Sequence, residues 1–144
     1  MGATRQSWVS STWRDRVAPS LDDIERLAAE AFAELPDEFR SLCGDLEFRV
    51  VDFAEDPVLD SLGIDDPYDL LGLFEGVGLA QGGGLSWTGR PPNRIWLYRR
   101  ALLDYWAAYD EPLGAIVTHV LVHEIGHHFG LSDEDMEAIE AAAD

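Results

Sequence analysis

All four histidines of this chain fall within ten consecutive residues, His119 to His128, in a stretch that reads as one long helix. Residues four apart on an α-helix are offset by about 40° and stacked about one turn apart. The pattern H-E-x-x-H, made by His123, Glu124 and His127, therefore presents two imidazoles on one helix face. Glu124 projects about 100° round the helix from His123. Two nitrogen ligands beside a carboxylate suit a catalytic zinc ion that keeps one coordination position open.

The segment that carries the histidines, Leu113 to Phe129, predicts a buried helix. Its apolar residues cover most of the helix circumference, and a helix that is apolar nearly all round is a buried one. Asp110 or Glu111 is expected to cap its start, with Pro112 in the first turn. Histidines and a glutamate on a buried helix need a partner, because an unpaired buried charge is costly. A metal ion would supply that partner.

Gly130 and Asp133 follow the second histidine at a spacing that suits a third ligand. Glycine adopts left-handed backbone angles without steric cost, so Gly130 is expected to end the helix. If the helix continued, Asp133 would lie roughly 9 Å beyond His127 along the axis, out of reach of the metal. A turn at Gly130 can return Asp133 to the metal. The competing interpretation is that Asp133 only begins the last helix, because Ser132 and Asp135 resemble a capping box.

The two remaining histidines favour other roles. His119 lies one turn before His123 on the same stripe, which favours a core or supporting role over ligation. His128 is rotated by about 100° from His127, away from the metal face, and is expected to be packed or hydrogen-bonded. If Asp133 only caps the last helix, then Asp135, His128 or a group outside the chain would complete the site.

The extended pattern H-E-x-x-H-x-x-G-x-x-D, from His123 to Asp133, resembles that of the zincin metallopeptidases. Within them it is similar to the metzincin-like branch, whose last motif position is histidine or aspartate, and in particular to small bacterial zincin-like proteins. The resemblance implies zinc-dependent hydrolysis of peptide bonds in a peptide or protein substrate. It also implies that His123, His127 and Asp133 are the zinc ligands. Glu124 would be the general base that acts on a zinc-bound water.

The same resemblance implies an α+β class, as a minimal zincin-like fold with a small mixed sheet packed on the active-site helix. Met136 lies in an expected helix, so no separate methionine-containing turn is expected beneath the metal. Periodicity and turn residues predict a matching order of elements. Helices are predicted over Ser20–Leu35, Asp37–Leu42, Arg99–Tyr109, Leu113–Phe129 and Ser132–Ala143, strands over Leu46–Phe53 and Arg94–Tyr98, short helical turns over 55–70, a loop with a short strand over Leu71–Leu79, and a loop over Gln81–Asn93.

Length and charge restrict the possible partners. A chain of 144 residues predicts one domain over 1–144, with residues 1–18 loosely ordered. The net charge of −18 argues against nucleic acid and anionic membranes, both of which need a basic protein surface. The chain contains neither a run of 18 apolar residues nor a signal-like apolar core, and Cys43 is its single cysteine. A cytoplasmic location is therefore expected; the sequence does not indicate the oligomeric state, and a monomer is the default.

Two other classes of function remain open. A metal-dependent RNA-processing enzyme can carry ligands at H-x3-H-x5-H spacing, which resembles the H-x3-H-x5-D of this chain. A non-catalytic metal-binding or interaction module is the other class, although structural zinc usually has four protein ligands. Glu124 and the acidic composition favour the peptidase. The glycine-rich segment from Gln81 to Gly89 is predicted to be a mobile flap or rim near the cleft, with a plain surface loop as the alternative.

Overall fold

The structure is a computed structural model that describes residues 13–76 and 93–143. Helices and strands both contribute, so the predicted α+β class is confirmed. In chain order the elements are α1 (Leu21–Ala33), α2 (Asp37–Cys43), β1 (Leu46–Val51), α3 (Asp56–Leu62), a 3-10 helix (Pro67–Asp69), β2 (Gly72–Glu75), β3 (Asn93–Tyr98), α4 (Arg99–Ala108), α5 (Leu113–His128) and α6 (Asp133–Ala142). The predicted flap, Gln81 to Gly89, lies outside the described residues, as do residues 1–12 of the predicted loose segment.

The three described strands form one mixed sheet with the order β1-β3-β2. The central strand β3 runs parallel to β1, with Leu46 opposite Asn93, and antiparallel to β2. A central strand has neighbours on both edges, and Ile95 and Leu97 of β3 are fully buried. The predicted small mixed sheet is therefore confirmed. Its parallel pair needs a long crossover, which includes α3 and β2.

The first helix, α1, connects the sheet to the histidine helix. Ser20 and Asp23 form the predicted capping box, in which the Asp23 amide donates to Ser20 Oγ at 3.0 Å and the Ser20 amide donates to Asp23 Oδ2 at 2.9 Å. Ile24 and Ala28 are the fully buried residues of this helix and belong to the main core. Helix α1 packs on both α5 and β1, so it helps to fix the orientation of α5 relative to the sheet.

Helix α5 is the apolar centre of the fold, as its sequence predicts. Its buried residues cover most of its circumference: Ile116, Val117, Val120, Leu121, Val122, Ile125 and Gly126. The predicted cap at Asp110 or Glu111 is wrong. Pro112 is the N-cap, and its carbonyl accepts from the Ile116 amide at 3.2 Å, so the helix begins too late for either acid to cap it. Within the described ranges, no helix has the length and apolar character needed to cross a membrane.

Candidate metal centre

Helix α5 ends at Gly130, as predicted. Gly130 has a φ of 77°, in the left-handed region that favours glycine. The Leu131 amide donates to the Gly126 carbonyl at 2.9 Å, and the Gly130 amide donates to the His127 carbonyl at 3.2 Å. These two bonds form a Schellman motif, which satisfies carbonyls that the helix end would leave unpaired. The chain reverses at this point, immediately after the histidine segment.

Helix α6 begins within three residues of that turn. Ser132 is its N-cap and forms a capping box with Asp135: the Asp135 amide donates to Ser132 Oγ at 3.1 Å. Asp133 is thereby the first helical residue, and its side chain lines a pocket together with His123. Capping therefore does not occupy the Asp133 carboxylate, because Asp135 performs that role. The capping box is present as expected, and Asp133 lines a pocket beside the histidine helix, while its role as a metal ligand remains a prediction.

The two helices α5 and α6 cross at Gly126, between the two histidines of the motif. A Cβ atom on Gly126 would lie 2.5 Å from Sδ and 2.8 Å from Cγ of Met136, which is fully buried. The absence of a side chain at Gly126 therefore lets α6 approach α5 closely. Glu140 lies one helical turn beyond Met136, on the same side of α6. The close crossing consequently brings the Glu140 side chain towards the histidine stripe of α5.

Glu140 contacts two histidines at once. Its Oε1 atom lies 2.9 Å from Nδ1 of His119 and 3.1 Å from Nε2 of His123. The two imidazole rings are stacked, with centroids 3.9 Å apart and planes inclined by 32°. One ligand atom from each of the three residues lies within 4.8 Å of the others. Among residues 13–76 and 93–143, this is the only group of three or more His, Cys, Asp or Glu residues whose ligand atoms lie so close together.

A pocket of about 440 Å³ lies over this cluster. Its lining is entirely ionisable: His119, His123, Asp133, Glu137 and Glu140. Three carboxylates against two imidazoles make the pocket negative at neutral pH. The donor set and the charge of the pocket both suit a divalent cation such as zinc.

The second histidine of the motif, His127, is exposed and lies to one side of this cluster. Its ring centroid is 5.7 Å from that of His123, with the planes nearly perpendicular. His123 and Asp133 line one pocket, but neither Asp133 nor His127 belongs to the 4.8 Å group. The ligand roles of Asp133 and His127 therefore remain predictions from the motif.

Glu124 lies on a different side of α5 from the His119–His123 stack. It is half-buried, and burial raises the pKa of its carboxyl, while the nearby charge of His127 lowers it. The charge of Glu124 also acts on Tyr98, the last residue of strand β3. Burial raises the pKa of Tyr98 to about 12, and the charges of Glu75, Glu124 and Glu55 add to that increase. Glu124 is therefore a partly desolvated carboxylate beside His127, which is a suitable environment for a group that exchanges protons.

His128 is packed, as expected from its rotation on the helix. Its ring lies 4.5 Å from that of Phe74 and 5.0 Å from that of Phe129, measured between centroids. Its Nε2 atom is buried and has no hydrogen-bond partner within the described portion of the chain. His128 thus joins the end of α5 to strand β2 and points away from the pocket of His123.

Sequence reasoning missed Glu140 and Glu137, although a signal for both was present. Asp133, Glu137 and Glu140 are spaced by four and three residues, so a helix from Ser132 onward places all three carboxylates on one face. The same periodicity that predicts the helix could therefore have identified an acidic stripe beside Asp133. It did not indicate that this stripe faces the histidines, because the close approach of α6 depends on the contact between Gly126 and Met136.

Comparison with known proteins assigns the chain to a family. A helix that carries histidines and a glutamate, followed by a glycine turn and a carboxylate that returns to it, is an arrangement of metal-dependent hydrolases. The family model described as zincin-like metallopeptidase matches residues 43–143, which is more than half of the chain. The chain belongs to the zincin-like metallopeptidase family. The search of curated proteins found no match to this chain.

Proposed function

We propose that this protein is a zinc-dependent peptidase that hydrolyses peptide bonds. The observation that carries the proposal is the glycine turn after α5, which returns Asp133 to the pocket of His123. Family membership supports hydrolysis of a peptide or protein substrate. The lone, buried Cys43 is compatible with the proposed cytoplasmic location, because cytosolic proteins seldom depend on disulfides.

We assign the zinc ligands to His123, His127 and Asp133. His123 and Asp133 already line one pocket, and His127 adjoins His123 on the same helix. When bound, zinc would polarise the scissile carbonyl group and lower the pKa of a water molecule. The ligands belong to two helices, and the Schellman turn and the Ser132 cap hold the ends of those helices in register. Fixed helix ends would reduce the ordering that ion binding requires, which supports the proposed ligand set.

Glu124 is the proposed proton carrier. Its carboxylate would accept a proton from the attacking water at an oxygen atom and then deliver that proton to the nitrogen of the leaving amine. Its partial burial limits competing hydrogen bonds to bulk water. Glu124 also lies beside His127, so a water held near that histidine is within its reach.

Strand β2 is the proposed docking edge for an extended substrate. One edge of β2 pairs with β3, and within residues 13–76 and 93–143 no strand pairs with the other edge. Phe74 of β2 contacts His128, so this edge runs beside the end of α5. An extended peptide added to β2 would gain backbone hydrogen bonds while its scissile bond lies near the histidines.

The test replaces Glu124 by glutamine in the full chain. The Glu124→Gln protein should keep its zinc and lose hydrolysis of a casein-like substrate by about 100-fold or more, because the general base is absent. Glu134→Gln is the matched control: it removes an exposed acid from the first turn of α6 and should leave turnover unchanged.

Unchanged turnover in Glu124→Gln would reject the assigned role. If neither the unmodified protein nor any variant hydrolysed a broad peptide library while zinc bound stoichiometrically, the protein would be a metal-binding module and the proposed reaction would be wrong.

A further inference from the structure

We infer that the chain holds a second, alternative position for a divalent cation, formed by His119, His123 and Glu140. This position lies one helical turn towards the start of α5 from the H-E-x-x-H pair. It shares His123 with the proposed zinc site, but it does not depend on the proposed hydrolysis. The ligand it would take is a zinc-like ion, because two imidazole nitrogens and a carboxylate oxygen suit a borderline cation.

The spacing of the three ligand atoms carries the inference. Zinc binds nitrogen and oxygen at about 2.0–2.2 Å, so ligand atoms at tetrahedral angles lie about 3.3–3.5 Å apart. Glu140 Oε1 lies 2.9 Å from His119 Nδ1 and 3.1 Å from His123 Nε2. A small rotation of the Glu140 side chain would open these separations enough for an ion. The three atoms lie within 4.8 Å of one another, a property that the set His123, His127 and Asp133 does not share.

The surroundings of the cluster favour a bound cation over an ion pair formed by these three residues alone. His119 is exposed and Glu140 is partly buried, so solvent and ions reach the position directly. Asp133 and Glu137 line the same pocket and add two further negative charges. One carboxylate oxygen faces a nitrogen of each imidazole, so a cation that displaced the protons between them would meet three ligand atoms. The α5–α6 crossing at Gly126 fixes Glu140 over the two histidines, so the position is built by the fold.

The two cation positions exclude each other. The Nε2 atom of a neutral histidine has one lone pair, and His123 would use it in either ligand set. An ion held by His119 and Glu140 therefore takes His123 away from His127 and Asp133. The expected stoichiometry of the unmodified protein is one ion per chain, distributed between the two sets.

The decisive experiment isolates the second position. In a protein with His127→Ala and Asp133→Ala, two of the three proposed zincin ligands are absent, whereas His119, His123 and Glu140 remain. Zinc chloride titrated against a chelating dye should still show one bound ion per chain. Loss of a metal-orienting partner outside the ligand shell costs 10–100-fold in affinity, so adding Glu140→Gln should weaken zinc binding by about 100-fold or more.

Glu137→Gln in the same double variant is the matched control. Glu137 lines the same pocket and carries the same charge, but it does not belong to the three-residue cluster. If coordination by Glu140 matters, Glu137→Gln should change zinc affinity by less than about threefold, in contrast to the loss expected for a ligand. Circular dichroism checks that each variant is folded.

Two results would overturn the inference. One is a folded His127→Ala and Asp133→Ala protein that binds no zinc, since the remaining three residues would then be insufficient. The other is equal weakening by Glu140→Gln and Glu137→Gln, because a general effect of charge would then explain both. Neither result bears on the proposed hydrolysis, which Glu124→Gln tests separately in the otherwise unmodified chain.

Discussion

The nitrogen Nε2 of His123 belongs to both of the proposed ligand sets. It lies 3.1 Å from Glu140 Oε1, in a pocket that Asp133 also lines. In the two proposed ligand sets, either Asp133 or Glu140 of α6 would hold an ion together with His123 of α5. The acid that does so would decide where the ion lies relative to Glu124.

Cys43 illustrates the opposite situation, a potentially reactive group that the fold makes inert. It is 2% exposed, and burial raises its thiol pKa to about 11. Only the thiolate is an effective nucleophile, and an ordinary cysteine has a pKa of about 8.5. We expect the folded protein to resist alkylation by iodoacetamide at pH 8, and to react within minutes after unfolding in guanidinium. Mass spectrometry of the modified protein measures both.

The same shift predicts the sign of a stability change with pH. The folded state keeps the Cys43 proton to a higher pH than the unfolded chain does, so this contribution is present below about pH 9 and is lost as the pH rises towards 11. Cys43→Ala should lack that component of the alkaline decline. Rapid alkylation of the folded protein at pH 8 would show that the thiol is accessible and would contradict the prediction.

At the scale of elements, the crossing of α5 and α6 determines whether the site forms. Gly126→Ala would place a Cβ atom 2.5 Å from the buried Met136 Sδ. Overpacking of a core typically costs about 1–3 kcal/mol, against which alanine regains up to about 1 kcal/mol of helix propensity. We expect a net loss of stability in urea unfolding. Zinc affinity should fall as well, because displacement of α6 moves Asp133 and Glu140 away from His123.

Gly114→Ala is the matched control on the same helix. Its added Cβ would meet Leu27 Cδ1 at 3.8 Å, an ordinary contact, so helix propensity should make this variant equally stable or more stable by up to about 1 kcal/mol. Zinc affinity should not change. If Gly126→Ala were as stable as Gly114→Ala and bound zinc equally well, Met136 would have room to move and the close crossing would not be required for the site.

The ends of the elements were predictable because their signals are local. Gly130 ends α5, and the capping boxes at Ser20 and Ser132 begin their helices as the sequence indicates. Each signal depends on hydrogen bonds within a few residues. The predicted cap of α5 was wrong because Pro112 is itself the N-cap. Asp110 and Glu111 therefore lie before the helix and cannot cap it.

The partners of His123 were less predictable because they depend on tertiary contacts. The motif identified His123 and Glu124 as residues of one helix, but it contains no information on how α6 packs. Glu140 reaches His123 only because Gly126 accommodates Met136. The strand order was hidden for the same reason, since the parallel pairing of β1 with β3 joins segments that are distant in the chain. Local periodicity describes each element but not which elements become neighbours.

At the scale of the whole molecule, a net charge of −18 shapes the energetics of ion binding. Repulsion among excess like charges destabilises a compact state, and the pocket of His123 concentrates three of the carboxylates. A divalent cation bound in that pocket, as proposed, would relieve local repulsion and would link α5 to α6. The unfolded chain has no preformed site, so the free energy of binding adds to the stability of the fold.

Zinc should therefore raise the thermal stability of the protein. At a free concentration of 100 times the dissociation constant, one ion adds about 2.7 kcal/mol, and 1 kcal/mol shifts the unfolding temperature of a chain this long by about 2–4 °C. Calorimetry should show unfolding about 5–10 °C lower in excess chelator than with zinc, and the shift should reverse when zinc is restored. His123→Ala should show no shift, because both ligand sets require His123. If neither zinc nor chelator changed the unfolding temperature of the unmodified protein, a cation site at His123 would be refuted in either arrangement.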